Sequence, residues 1–135
     1  MFIIAVINTV EDFFNGIKIK NMLNENRRKY PRVIYSATVN VKAAGAGKIS
    51  YHGIIKNISV SGLALEIENE LTAGAGYIFE FYLPDKNIIK SKGKPVWELR
   101  SKNSNFYGIE FSSIGFFSKP KLKRFIEDKL REMQG

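Results

Sequence analysis

Val33-Ile34-Tyr35-Ser36-Ala37-Thr38-Val39-Asn40-Val41-Lys42 is the stretch that decides the fold. Residues 33, 35, 37, 39 and 41 are apolar and alternate with Ile34 and the polar Ser36, Thr38, Asn40 and Lys42. A period of two puts successive side chains on opposite faces of a strand, and the β-branched content suits a half-buried sheet. Working downstream, Ala43 to Gly47 reads as a turn and Lys48 to Ile58 as the returning strand, with Ile49, Tyr51, Gly53 and Ile55 in alternation. Ser59-Val60-Ser61-Gly62 breaks that strand, and Leu63 to Ile67 alternates again. Thr72 to Gly76 is a second break. Tyr77 to Leu83 is a strand ended by Pro84-Asp85, Ile88 to Leu99 is one or two strands with a bulge near Gly93, and Phe106 to Phe111 is the last strand. About six short strands with frequent turn signals read as a small antiparallel barrel or sandwich, a mainly β fold.

Helical spacing flanks this unit. Ser118, with Pro120 just inside, opens a C-terminal helix whose apolar face is Leu122, Phe125, Ile126, Leu130 and Met133. That face is expected to pack on the barrel. Upstream, Val10, Phe13, Phe14, Ile17, Met22 and Leu23 predict a short N-terminal helix within 9–24, with Thr9 and Asp12 resembling a capping box. Gly16 weakens it by about 1 kcal/mol relative to alanine. Residues 1–8 suit a short strand, an unstructured lead or a partner-binding segment. The expected organisation is an N-terminal extension, 1–25, followed by one β domain with its C-terminal helix, 26–135.

Composition narrows the chemistry. The chain has 135 residues, 44% of them hydrophobic and 25% charged, which fits one globular domain. It has no cysteine, which excludes disulfides, Cys-ligated zinc, iron–sulfur clusters and thiol catalysis. Its single histidine, His52, excludes a multi-histidine metal site. His52 sits at a polar position of a strand with no matching Ser and Asp, so it reads as a surface histidine. No paired-carboxylate motif, nucleophile–base pair or phosphate loop is present, and the expectation is a non-enzyme without metal or cofactor. The run Met1 to Ile7 is shorter than the roughly 20 residues that span a bilayer. It lacks the basic start of a secretory signal, so a cytoplasmic protein without a membrane span is expected.

Lys and Arg total 21 against 13 acids, a net charge of +8, which points to an anionic partner: nucleic acid, nucleotide or an acidic membrane. Three basic groups stand out: Lys18 to Arg32, Lys86 to Lys102 and Lys119 to Arg131. The last two read as solvated faces. The first is Arg-rich around a proline, Arg27-Arg28-Lys29-Tyr30-Pro31-Arg32, and Pro31 keeps Tyr30 out of the helical region, so an extended loop is expected. Arginine's planar fork pairs with phosphate, reads the guanine edge and stacks on flat rings. At the break after the second strand stands Asn57-Ile58-Ser59-Val60-Ser61-Gly62, where Asn and Ser offer hydrogen bonds and Gly62 offers either positive φ or close backbone approach.

Arg28-x-x-x-Arg32, preceded by Arg27, and Asn57-x-Ser59-x-x-Gly62 together resemble the two signatures of the PilZ domain family, receptors for the bacterial second messenger cyclic di-GMP. Leu71-Thr72-Ala73-Gly74, Gly93-x-Pro95-Val96-Trp97 and Gly108-Ile109-Glu110-Phe111 look like weaker landmarks, and the resemblance runs over about 26–130. It implies a six-stranded antiparallel, split β-barrel. It also implies that Arg28 and Arg32 grip guanine and phosphate with Arg27 assisting, that Asn57 and Ser59 hydrogen-bond the other guanine, and that Gly62 lets the ligand lie close to the backbone. The ligand is often an intercalated dimer in this family. Asparagine stands here where many members carry aspartate, which removes a charge-assisted hydrogen bond to a guanine N–H.

The function so implied is a receptor that changes conformation or partner contacts with messenger level, acting on motility, exopolysaccharide, biofilm or virulence. A protein partner or self-association through residues 1–25 is compatible with it. Two other classes compete. One is a PilZ-like adaptor that binds protein and no ligand, although such adaptors usually lack the motifs retained here. The other is a small basic barrel binding single-stranded nucleic acid, which the charge suits but which lacks a stripe of exposed aromatics, so no nucleic acid is expected. Trp97 and Arg100 could reach a purine, but a buried tryptophan and a solvated strand end are the expected readings.

Overall fold

The computed structural model describes residues 3–6, 30–45 and 49–134. The expected helix within 9–24 lies outside these residues, as do Arg27 and Arg28.

The alternation in Val33–Ala43 becomes strand β2, with Val33, Val39 and Val41 buried and Ile34, Ser36, Thr38 and Asn40 exposed. It pairs antiparallel with β3 (Ser50–Ile58) on one side and β5 (Tyr77–Tyr82) on the other. β3 continues to β4 (Gly62–Ile67), β4 to β7 (Asn105–Ile114), and β5 to β6 (Ile88–Arg100). The pairing of β6 with β7 closes the ring. The result is the expected mainly β fold, a closed six-stranded antiparallel barrel, and closure removes the free edges that a sandwich would leave.

Closure depends on β6, which is 13 residues long and pairs with β5 over Ile88–Gly93 and with β7 over Ser91–Arg100. The changeover is irregular: its register to β7 shifts between Lys92 and Gly93 and again between Pro95 and Trp97. The bulge expected near Gly93 is there. A Cβ on Gly93 would come within 2.7 Å of the Glu110 carbonyl oxygen, and Pro95, which has no N–H to give a ladder, is accommodated at the second irregularity. β1 (Ile3–Val6) adds to the far end of β6 in parallel, Ile3 opposite Trp97 and Val6 opposite Arg100.

The barrel is filled by Val39, Val41, Ile55, Leu63, Leu65, Phe79, Phe81, Ile89, Tyr107 and Ile109, all buried. Helix α1 (Ser118–Gln134) closes one end of it, burying Leu122 and Ile126. The Phe125 ring meets Tyr35 edge-on at 4.8 Å, and the Tyr35 hydroxyl donates to the Tyr82 carbonyl at 2.7 Å. Met133, expected on the packed face, is instead 68% exposed, because the last turn of the helix runs past the barrel. A smaller cluster lies on the opposite face of the β4–β7–β6 wall, where Ala64, Trp97 and Phe106 are buried with Val96 and Leu99 against them. Trp97 is thus buried as expected, but in this outer cluster.

Candidate functional site

The described end of the first motif, Tyr30 to Arg32, meets the second motif at one end of the barrel because of strand pairing. Val33 is in register with Ile58 and Ile34 with Asn57, so Arg32 leads into β2 beside the point where β3 runs out into Ser59. Arg32 is half-buried. Tyr30 and Pro31 from the first segment and Val60 from the second line the same cleft, about 680 Å³ in volume. Its other walls are Phe111, Ser112, Ser113 and Ile114 at the end of β7, and Lys119, Lys123, Ile126, Glu127 and Leu130 of α1. Ligand clefts fall in the range of roughly 300–1,000 Å³.

Asn57 sits on a defect in the sheet. Between Ile34 and Ala37 the register of β2 to β3 shifts, and between Ile55 and Asn57 that of β3 to β4 shifts, so both ladders are broken beside it. Bulges of this kind re-aim a side chain and are common next to binding sites. Here the aim leaves Asn57 Oδ1 buried and, among the described residues, without a hydrogen-bond partner. A buried acceptor left unmade costs about 1–3 kcal/mol.

Ser59 is fully buried and shapes the turn. Its Oγ accepts the Ser61 N–H at 3.0 Å and lies 2.9 Å from Ser61 Oγ, while its own N–H donates to the Gly62 carbonyl at 2.8 Å. The Phe111 N–H donates to the Ser61 carbonyl at 2.8 Å, tying the turn to β7. Gly62 has no positive φ. The close approach it permits is to its own neighbour strand: a Cβ there would overlap the Ile109 carbonyl. Asn57, Ser59 and Gly62 are therefore brought together by the β3–β4 connection, with Arg32 beside them.

Sequence reasoning missed the far wall of the cleft. Lys119 and Lys123 stand one helical turn apart and both line it. The available signal was the absence of any acid in the first turn of α1, where the helix dipole favours acids. Arg100 takes no part. Its Nε donates to Glu98 Oε1 at 2.7 Å and its Nη2 to Glu70 Oε1 at 2.7 Å, so the solvated strand end expected there is a salt-bridged one. His52 is exposed, as expected. Among the described residues no group of acids and His could hold a metal ion, and no helix is long and apolar enough to cross a membrane.

The PilZ domain family model matches residues 26–128 of the chain. A comparison with curated proteins finds none that matches. Among solved structures, the Bacillus subtilis inhibitor of motility (MotI/DgrA) superposes with a TM-score of 0.65 at 18% identity, covering 78% of this chain and 52% of that one. The PilZ domain of Escherichia coli YcgR, solved with c-di-GMP, gives 0.62 at 17% identity, covering 80% of this chain and 95% of that one. The Klebsiella pneumoniae MrkH–c-di-GMP complex gives 0.58 at 18% identity, covering 80% and 54%. The chain thus spans about half the length of MotI and of MrkH, and nearly all of the isolated YcgR domain. Likeness at these identities is a likeness of fold.

Proposed function

The chain belongs to the PilZ domain family, and from that premise we propose that it is a receptor for cyclic di-GMP. The observation that carries this reading is Asn57 Oδ1, a buried acceptor with no hydrogen-bond partner among the described residues, held on a double bulge at the start of the second motif. Guanine presents N1–H and N2–H donors on the edge adjoining its O6/N7 edge, and one of them would satisfy that oxygen. Arg28 and Arg32 would take the guanine O6/N7 edge and the phosphates in bidentate fashion, with Arg27 adding charge. Ser59 would act mainly through the turn it shapes, since its Oγ already accepts the Ser61 amide. Gly62 would act by seating that turn on β7. The lysines on α1 extend the positive field across the cleft, which suits a ligand with two phosphates.

Binding converts to output through charge. Arg27, Arg28, Lys29 and Arg32 carry like charges that a polyanion offsets, and drawing that segment onto the ligand would change what residues 1–25 present to a protein partner or to a second copy. The regulated processes that fit such a receptor are motility, exopolysaccharide production and biofilm formation. No catalysis is part of this reading.

Equilibrium dialysis with labelled cyclic di-GMP tests it. Saturable binding that unlabelled cyclic di-GMP displaces and GTP does not is the expected result, and a count above one ligand per chain identifies an intercalated pair. No retention of the label at any protein concentration would overturn the proposal.

A further inference from the structure

Phe116 and Phe117, in the turn between β7 and α1, are 86% and 77% exposed. Their rings meet edge-on at 5.3 Å, so they form a single apolar tip. The turn beneath them is tightly hydrogen-bonded. The Gly115 N–H donates to the Lys90 carbonyl at 2.9 Å, the Ser118 and Lys119 N–H groups donate back to the Gly115 carbonyl at 2.9 and 3.0 Å, and the Lys90 N–H donates to Ser118 Oγ at 3.0 Å. Two of the largest apolar side chains in the protein are therefore held out in water by a braced support. Burial in the core or fraying of the turn does not account for them.

The residues that brace the turn and follow it are rich in lysine. Lys90 and Lys119 are bonded to the turn itself, and Lys121 and Lys123 follow on α1, whose first turn has no acid. Cations at a helix N-terminus oppose the helix dipole, so helix stability does not explain them. The acid in register with Lys90 is Glu80 on β5, Glu127 follows Lys123 by one turn, and Asp85 and Asp128 line one pocket with Lys121 and Arg124. The local balance remains positive.

We propose that this tip inserts into the surface of an anionic lipid bilayer. Two phenylalanines bury at most about 300–500 Å², well short of the roughly 800 Å² per partner of a standard protein interface. Apolar anchors ringed by lysines are what binding at a negatively charged membrane surface requires: the rings enter the headgroup–acyl boundary while the ammonium groups stay at the phosphates. Lys119 and Lys123 also line the ligand cleft, but neither phenylalanine does, nor do Lys90 and Lys121, so the variants below leave the cleft intact.

Sedimentation of the full chain with phosphatidylcholine vesicles, with and without phosphatidylglycerol, tests it, alongside the variants F116S/F117S and K90E/K121E. The expected result is binding to the anionic vesicles only, falling at least about tenfold in each variant. The variants should keep the circular dichroism spectrum of the parent, because the side chains removed are on the surface. Absence of wild-type binding to anionic vesicles overturns the proposal. So does equal binding by F116S/F117S, which would mean diffuse electrostatic adsorption, and so does capture by a protein that survives removal of lipid.

Discussion

Gly62 on β4 lies so close to the carbonyl of Ile109 on β7 that a Cβ at position 62 would overlap it. The neighbour is backbone in a closed barrel and cannot swing aside. Gly62→Ala is expected to lower stability by roughly 1–3 kcal/mol, read as the shift of a urea midpoint. Gly62 also carries the carbonyl that receives the Ser59 N–H, so the same variant is expected to weaken cyclic di-GMP binding while all the ligand-facing side chains remain.

A second glycine is tied to a ring. Gly108 on β7 is in register with Trp97 on β6, and the indole occupies the space where a Cβ at 108 would go. Trp97 is the only tryptophan, so the fluorescence reports the outer cluster in which this contact sits. Gly108→Ala is expected to push the indole off the strand, shift its emission to the red and cost about 1–3 kcal/mol. Unchanged emission would contradict the packing described.

Tyr107 predicts an alkaline transition. Its hydroxyl accepts the Leu71 N–H at 2.8 Å and donates to Glu98 Oε1 at 3.2 Å, and burial, reinforced by the Glu98 charge, pushes it up to about 12 from an ordinary 10. Between those values the folded protein keeps a proton that the unfolded chain releases. The associated stability is therefore complete below pH 10 and lost as pH rises through 12. In an ultraviolet titration of tyrosinate, one of the six tyrosines is expected to ionise near pH 12, and Tyr107→Phe removes that step. The variant leaves the Leu71 N–H unpaired and is expected to cost about 1–3 kcal/mol.

Asn57 separates stability from affinity. Asn57→Asp places a carboxylate where a buried oxygen has no partner among the described residues, so the ligand-free protein is expected to melt at a lower temperature. With cyclic di-GMP the same carboxylate makes a charge-assisted bond to a guanine N–H, and affinity is expected to rise several-fold. A thermal shift with and without ligand reads both effects. An Asp variant that is less stable and also binds more weakly would argue against a guanine at this position.

Much of this was legible in residue pattern. β2 reads cleanly because one face meets the core and the other meets water, so burial follows the alternation from Val33 to Val41. The bulge at Gly93 was visible because a glycine inside a strand run has few other uses. What escaped depends on contacts far apart in sequence. Ala64 looks like a solvent-side residue of β4, yet it is buried, because Trp97 and Phe106 cover that face. Residues 3–6 have strand character, but their parallel partner, Trp97 to Arg100, lies more than ninety residues away. Met133 fits the apolar stripe of α1, but helical spacing does not say where the barrel stops. At the site, the motifs marked Asn57, Ser59 and Gly62, while their separate tasks came only from geometry: an unpaired acceptor, a turn brace and a strand contact.

Isothermal titration of cyclic di-GMP into the wild-type protein, Arg28→Ala and Arg32→Ala tests the central claim most directly. Saturable binding by the wild type, abolished in both variants while their melting transitions stay cooperative, is the predicted result. A wild type that gives no binding heat and no ligand-dependent melting shift, or either variant binding with wild-type affinity, would contradict it.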